Sequence, residues 1–184
     1  MAYRGDKLLE HAMKIVEKVL ERRLRHMVKV DEMQFGFMLG KGTIDAVLIL
    51  RRLIQEYLDK EKKLYMCYVD LEKAFDRVPS KVLECAMRKR GIPEVMVTTV
   101  MILYEGAKAK VRVGLELSKA FVVKVGVHRG SVLSPLAFAI VVDVVTENVR
   151  NGFMSDMLYA DDLVLTSETM EGLKEKFWKR KEAF

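Results

Sequence analysis

Prolines are scarce in this chain, three in 184 residues, and no Pro- or Ser-rich linker marks a boundary along it. Cysteines are scarcer still. Cys67 and Cys85 lie inside apolar stretches, with no CxxC spacing and no histidine at ligand distance, which excludes a disulfide framework and a zinc finger. Both are expected as buried free thiols, in keeping with the reducing nucleus or cytoplasm. No uncharged apolar run reaches the roughly eighteen residues that a membrane-spanning helix needs, so no membrane partner is expected. The opening Met1-Ala2-Tyr3-Arg4-Gly5-Asp6 lacks the apolar centre of a signal peptide. Internal repeats and low-complexity segments are also missing.

What is present is an ordinary globular composition, 51% hydrophobic and 32% charged, which is enough apolar material for a packed core. The formal charge of +6 favours polyanionic partners such as nucleic acid, although many basic proteins bind none.

Apolar residues recur at three- and four-residue spacing from Lys7 to Val28, predicting an amphipathic helix whose polar side carries Lys14, Lys18, Arg22, Arg23 and Arg25. Most of these cations read as a solvated face. The three glycines between Gln34 and Gly42 predict tight backbone turns, and Thr43 is the expected N-cap of a second helix running to about Lys60. Leu64 to Val69 reads as a buried strand that delivers Asp70 at its end. Helices are predicted over Ser80–Arg90 and Pro93–Tyr104, with Gly91 as a stop between them. Alternation through Ala109, Val111, Val113, Phe121, Val123 and Val125 predicts a hairpin. A long apolar helix follows from about Val132 to Arg150. Two short strands, Met154–Tyr159 and Leu163–Thr166, are expected around Ala160-Asp161-Asp162, before a closing helix from about Met170. This irregular mixture predicts an α+β fold, with helices backing an antiparallel sheet.

Three carboxylates stand out by position. Asp70 ends a strand, and Asp161 and Asp162 are adjacent at a hairpin tip, where like charges repel and weaken pairing. Taken alone, two acids in a turn read as a solvated turn, because turns favour aspartate. A pair of hard divalent cations about 3.5–4 Å apart is a second reason for such a cluster. Cations so held grip the attacking and leaving oxygens of an in-line displacement.

The surrounding words sharpen the choice. Tyr68-Val69-Asp70 with Phe75-Asp76, then Gly126-Val127-His128-Arg129-Gly130-Ser131 with Ser134-Pro135, then Tyr159-Ala160-Asp161-Asp162 resemble, in order and spacing, the palm motifs of reverse transcriptases. Lys14 to Glu21, Met33-Gln34-Phe35-Gly36-Phe37-Met38 and Gly42-Thr43-Ile44-Asp45-Ala46 narrow the resemblance to non-LTR retrotransposons of the RTE/BovB-like branch. It extends from about Tyr3 to the C-terminus. The resemblance implies right-hand polymerase fingers (residues 1–63) and a palm (64–184) that includes a helical insertion. It implies an RNA-directed DNA polymerase that joins dNTPs to a primer 3′-hydroxyl, with an RNA template and a DNA primer as partners and two Mg2+ ions, replaceable by Mn2+, as cofactor. Carried across residue by residue, it makes Asp70, Asp161 and Asp162 catalytic and metal-binding. Arg4, Leu71, Phe75, Arg129 and Gly130 would bind the nucleotide, with Phe75 as the gate against a 2′-hydroxyl and Arg4 on the triphosphate. Lysines and arginines of the fingers helices and the hairpin would meet template and primer phosphates. Arg4 reads equally as a frayed terminal residue, Phe75 as core, and Ser131 as the cap of the helix after it.

Some positions depart from the family. Arg129 stands where glutamine is usual and offers only donors, which alters the nucleotide pocket. Leu39-Gly40-Lys41 replaces a more usual Pro-Gly-Arg, and Asp6 replaces an isoleucine. Neither the endonuclease region nor the thumb of such proteins is recognisable here, so weak synthesis or none is expected from this chain alone. Apolar Leu173, Phe177 and Trp178 on the last helix are expected to lack cover. The competing reading is a catalytically dead retroelement remnant that binds nucleic acid or another partner, or does nothing. An RNA-dependent RNA polymerase is a third, and Phe75 argues against it.

Overall fold

The predicted helices and strands are recovered in a computed structural model that describes residues 10–123, 125–128, 130–149 and 156–184. Arg4 and Arg129 lie outside the described residues, as does Met154 at the expected start of a strand. The chain divides into two compact units: the described residues of Met1–Lys29 with Lys73–Val141, and Val30–Glu72 with Val142–Phe184.

In the first unit, α1 (His11–Met27) buries Glu17, Leu20 and Leu24, a stripe at three- and four-residue spacing. A four-residue helix that periodicity is too short to reveal, Ala74–Arg77, follows the break between units; it is α3, because α2 (Thr43–Asp59) belongs to the second unit. Next come α4 (Ser80–Lys89) and α5 (Glu94–Tyr104). Leu83, Ala86 and Met87 of α4 and Val97, Val100 and Tyr104 of α5 are buried. Gly91 closes α4 at φ +72°, the left-handed conformation that suits glycine after a helix, and Ile92 then donates to the Met87 carbonyl.

The predicted hairpin forms as two short ribbons. Lys108–Ala109 (β2) pairs with Phe121–Val122 (β5), and Arg112–Val113 (β3) pairs with Glu116–Leu117 (β4). Its apolar positions find no core: Val113 is 75% exposed. The apolar helix α6 (Ser134–Thr146) starts later than predicted and ends in a 3-10 turn, Glu147–Val149. Leu136 to Val142 are all buried, as expected of a helix that is hydrophobic all round. It carries the chain from the first unit into the second.

The second unit is built on a three-stranded antiparallel sheet of β1 (Tyr65–Asp70), β6 (Asp156–Tyr159) and β7 (Asp162–Ser167), with β7 central. Leu163 and Leu165 of β7 are buried, and so are Met157 and Leu158 of β6. Helix α7 (Met170–Ala183) is capped at Thr169, whose hydroxyl accepts the Gly172 N–H, and packs against β7. Arg180, buried on α7, donates to the Asp156 carboxylate at the start of β6 and, at 3.4 Å, to the Thr146 carbonyl. Lys176 adds a second cation 3.8 Å from Asp156.

Four local expectations are corrected. Cys85 is exposed, because α4 turns its Leu83–Ala86–Met87 stripe inward instead, and Cys67 on β1 is only half-buried. Strand β1 has no fully buried residue, and Tyr68 is 65% exposed, since the strand lies at a sheet edge with one face open. Leu173 is buried, on the side of α7 that meets β7, whereas Trp178 on the same helix is 55% exposed. Gly42, not Thr43, precedes α2 as its cap, with Asp45 reaching back to the Gly42 N–H at 2.7 Å.

Candidate active site

Strand register sets two of the three acids face to face. Asp70, the last residue of β1, lies directly across from Asp162, the first of β7, and Asp162 in turn faces Tyr159 of β6. Residues opposite one another in an antiparallel pair share a face, so Asp70, Asp162 and Tyr159 line one side of the sheet. Neighbouring Val69 and Leu163 take the other side, and Leu163 is buried there. A one-residue slip would drive the acids into the core, so burial of the leucines fixes the exposure of the carboxylates.

Asp161 sits in the two-residue loop Ala160-Asp161 that joins β6 to β7. Its carbonyl accepts the Leu71 N–H at 3.3 Å, which extends the β1–β7 pairing one step past Asp70. Ala160 holds φ +57°, the left-handed conformation that short hairpin loops require and that usually calls for glycine or asparagine.

A segment that looked irregular braces this loop. Phe35 donates to the Leu158 carbonyl at 2.8 Å, and Leu158 donates to the Met33 carbonyl at 3.0 Å, so Gln34 forms a parallel bridge along β6. Gly36 then crosses so close that a Cβ on it would lie 2.2 Å from the Ala160 nitrogen. The close approach, not a turn, requires this glycine; of the three glycines at 36, 40 and 42 only Gly40 has a positive φ. At the head of α2 the Thr43 hydroxyl bonds the Tyr159 hydroxyl at 3.0 Å. Gly36 and Thr43 are the residues that reading the sequence missed. The signal was the glycine between Phe35 and Phe37 in an otherwise bulky run.

Cross-strand carboxylates such as Asp70 and Asp162 destabilise a sheet unless a cation intervenes. Among the described residues no three His, Cys, Asp or Glu side chains group closely enough to enclose a metal ion unaided. Such a donor set still suits Mg2+, which takes one or two protein carboxylates and completes its shell with water and substrate phosphates. Leu71 presents its side chain to an apolar pocket of about 130 Å³ shared with Val69, Leu163, Phe177 and Phe184.

Phe75 and Gly130 belong to the first unit. Phe75, on α3, stacks on Phe138 of α6 with ring centroids 4.3 Å apart. The Phe75 carbonyl accepts the Val127 N–H at 2.8 Å and the Val78 carbonyl accepts the Gly126 N–H at 2.9 Å, so the second motif is tied to the tail of the first. Gly126 (φ +97°) has no room for a Cβ, which would lie 2.8 Å from the Asp76 carbonyl. Gly130 is also left-handed, at φ +88°. Ser131 accepts the N–H groups of Leu133 and Ser134 at 3.2 and 3.3 Å, holding the turn ahead of α6, but it is not the helix's N-cap, because α6 starts at Ser134 and not at Val132. Tyr104 packs on His128 and reaches Ser134; its burial pushes the phenol up to about 12.

Residues 2–183 match the family described as reverse transcriptase (RNA-dependent DNA polymerase). A Pol polyprotein of retrotransposable element R2 from Nasonia vitripennis is 30% identical over 89% of this chain, which spans 17% of that protein. The RNA-directed DNA polymerase of mobile element jockey from Drosophila funebris is 29% identical over 91% of the chain, and the chain spans 19% of its length. Among solved structures, telomerase of Candida tropicalis in complex with a telomeric RNA fragment superposes with a TM-score of 0.66 at 16% identity. That match covers 91% of this chain and 31% of the telomerase, and it shows a shared fold.

Proposed function

Because the chain belongs to the reverse transcriptase family, we propose that it is the fingers and palm of a non-LTR retrotransposon RNA-directed DNA polymerase, which extends a primer 3′-hydroxyl with dNTPs by two-metal nucleotidyl transfer. Residues 1–63 are assigned to fingers and 64–184 mostly to palm. One observation carries the reading: Asp70 stands opposite Asp162 on one open sheet face, with Asp161 in the adjoining loop.

In this reading Asp70 and Asp161 hold two Mg2+ ions and Asp162 completes the acidic cluster. Bound there, Mg2+ would supply Lewis-acid chemistry, lowering the pKa of the primer hydroxyl and neutralising charge on the transferred phosphate. The protein's own part is positioning. β1 and β7 fix the spacing of the acids, and Gly36 and Thr43 hold the loop and Tyr159 behind them. Phe75, immobilised on Phe138, excludes a 2′-hydroxyl; Arg4 donates to triphosphate oxygens, Arg129 donates to a phosphate or sugar oxygen of the nucleotide, and Gly130 lets the backbone approach it. The RNA template and DNA primer are held through phosphates by the chain's lysines and arginines.

The test is extension of a DNA primer on an RNA template with Mg2+ or Mn2+, comparing this chain with Asp161→Ala. Weak but metal-dependent extension by the unmutated chain, abolished in the variant, is expected. No extension by either, or equal extension by both, contradicts the proposal.

A further inference from the structure

Glu17 is out of place on α1. Its buried companions there are Leu20 and Leu24, and it is itself only 3% exposed. An isolated buried carboxyl is costly, and leucine at this position would complete an apolar stripe. No basic side chain among the described residues pairs with it. Its partner is the backbone: Glu17 Oε2 accepts the Val132 N–H at 2.9 Å.

The receiving segment explains what that bond does. Between Gly126 and α6 the chain has no sheet to hold it. Ser131 N–H is satisfied by the His128 carbonyl, and the Leu133 and Ser134 N–H groups by the Ser131 hydroxyl. The Val132 amide is satisfied from a different element, 115 residues away in sequence. Tyr104 of α5 touches the same segment on His128 and Ser134. Helices α1 and α5 therefore clamp the stretch that carries the left-handed Gly130.

We infer that Glu17 is a positioning residue that sets the shape of the Gly130–Val132 backbone, and through it the fit of the incoming deoxynucleoside triphosphate. This rests on the proposed polymerase reading, in which Gly130 lies beside the nucleotide. Glu17 touches no substrate itself.

Two variants of the full chain separate positioning from stability. Glu17→Gln keeps an oxygen for the Val132 N–H, whereas Glu17→Leu keeps the bulk and removes the acceptor. Three quantities are read: hydrogen exchange at the Val132 amide, thermal unfolding, and KM and kcat for dTTP in primer extension with Mn2+. In Glu17→Leu, Val132 should exchange faster and the KM for dTTP should rise about tenfold or more with little change in kcat, while Glu17→Gln stays within about twofold of the unmutated chain. Faster exchange with an unchanged KM would reduce Glu17 to a structural brace and overturn the inference. A Gln variant as impaired as the Leu variant would also overturn it. If the unmutated chain neither binds nor uses dTTP, the polymerase reading fails and takes the positioning role with it, and the exchange at Val132 still reports whether the contact exists.

Discussion

The β6–β7 hairpin and the ribbons between Lys108 and Val122 are both short antiparallel pairings of β-forming residues, yet they end in opposite environments. In the first, Leu163 is 1% exposed, a third strand pairs alongside, α7 covers one face and the Gly36 segment presses on the loop. In the second, Val113 is 75% exposed and each ribbon has only two strands. Two-stranded ribbons without a covering layer are marginal in water. Asp161 and Asp162 lie in the over-determined hairpin, with Asp70 on the strand beside it, where a strained Ala160 and facing carboxylates can be held against their own repulsion. Tolerance to change should differ accordingly between the two regions.

The largest effect should come from Arg180→Ala. It removes the principal partner of buried Asp156 and so loosens the start of β6 from α7, at a cost of about 3 kcal/mol by denaturant unfolding, with Lys176 left as partial compensation. Gly36→Ala strikes the other end of the same hairpin. Its new Cβ must displace the Ala160 backbone, costing about 2–3 kcal/mol and, where extension is measurable, most of the activity.

Tyr104, the last residue of α5, marks where packing ends before the exposed ribbons begin, and its burial gives a pH signature. Below pH 10 both the folded and unfolded chains keep the phenol proton, so it adds no slope. From 10 towards 12 only the unfolded chain releases it, and stability falls by about 2–3 kcal/mol. Unfolding midpoints at pH 9 and 11.5 should show this loss, and Tyr104→Phe should remove it. At the bottom of the scale, Val113→Thr on the exposed ribbon should move stability by less than about 0.5 kcal/mol. A loss of 2 kcal/mol or more there, on the order of a core substitution, would mean that the ribbon is covered in solution and that the contrast is false.

Much of this was legible beforehand, for physical reasons. Long periodic segments such as α1, α5 and α6 announce themselves because one face or all faces must be buried. The strand–turn–strand around Asp161 and Asp162 was readable because β-rich apolar residues flank a polar turn. Their meeting with Asp70 was expected through resemblance; register then showed that Asp162, specifically, is its cross-strand neighbour. Other features depend on contacts between distant residues, which leave little trace in sequence. Gly36 looked like a turn residue because close approach and positive φ both select glycine. Glu17 carried no signal of its own, because only the fold turns it inward. The division into units was hidden because the chain crosses between them three times, after α1 at Lys29–Val30, beside the short α3 and inside α6, with no Pro- or Ser-rich linker at any of them.

The central claim is that acids remote in sequence share divalent ions. Binding of Mn2+ to the full chain in the presence of dTTP, followed by electron paramagnetic resonance, tests it most directly. The unmutated chain should bind Mn2+, and Asp70→Asn should weaken binding by at least about tenfold while leaving the fold intact by circular dichroism. Equal Mn2+ binding by a folded Asp70→Asn chain would contradict the account.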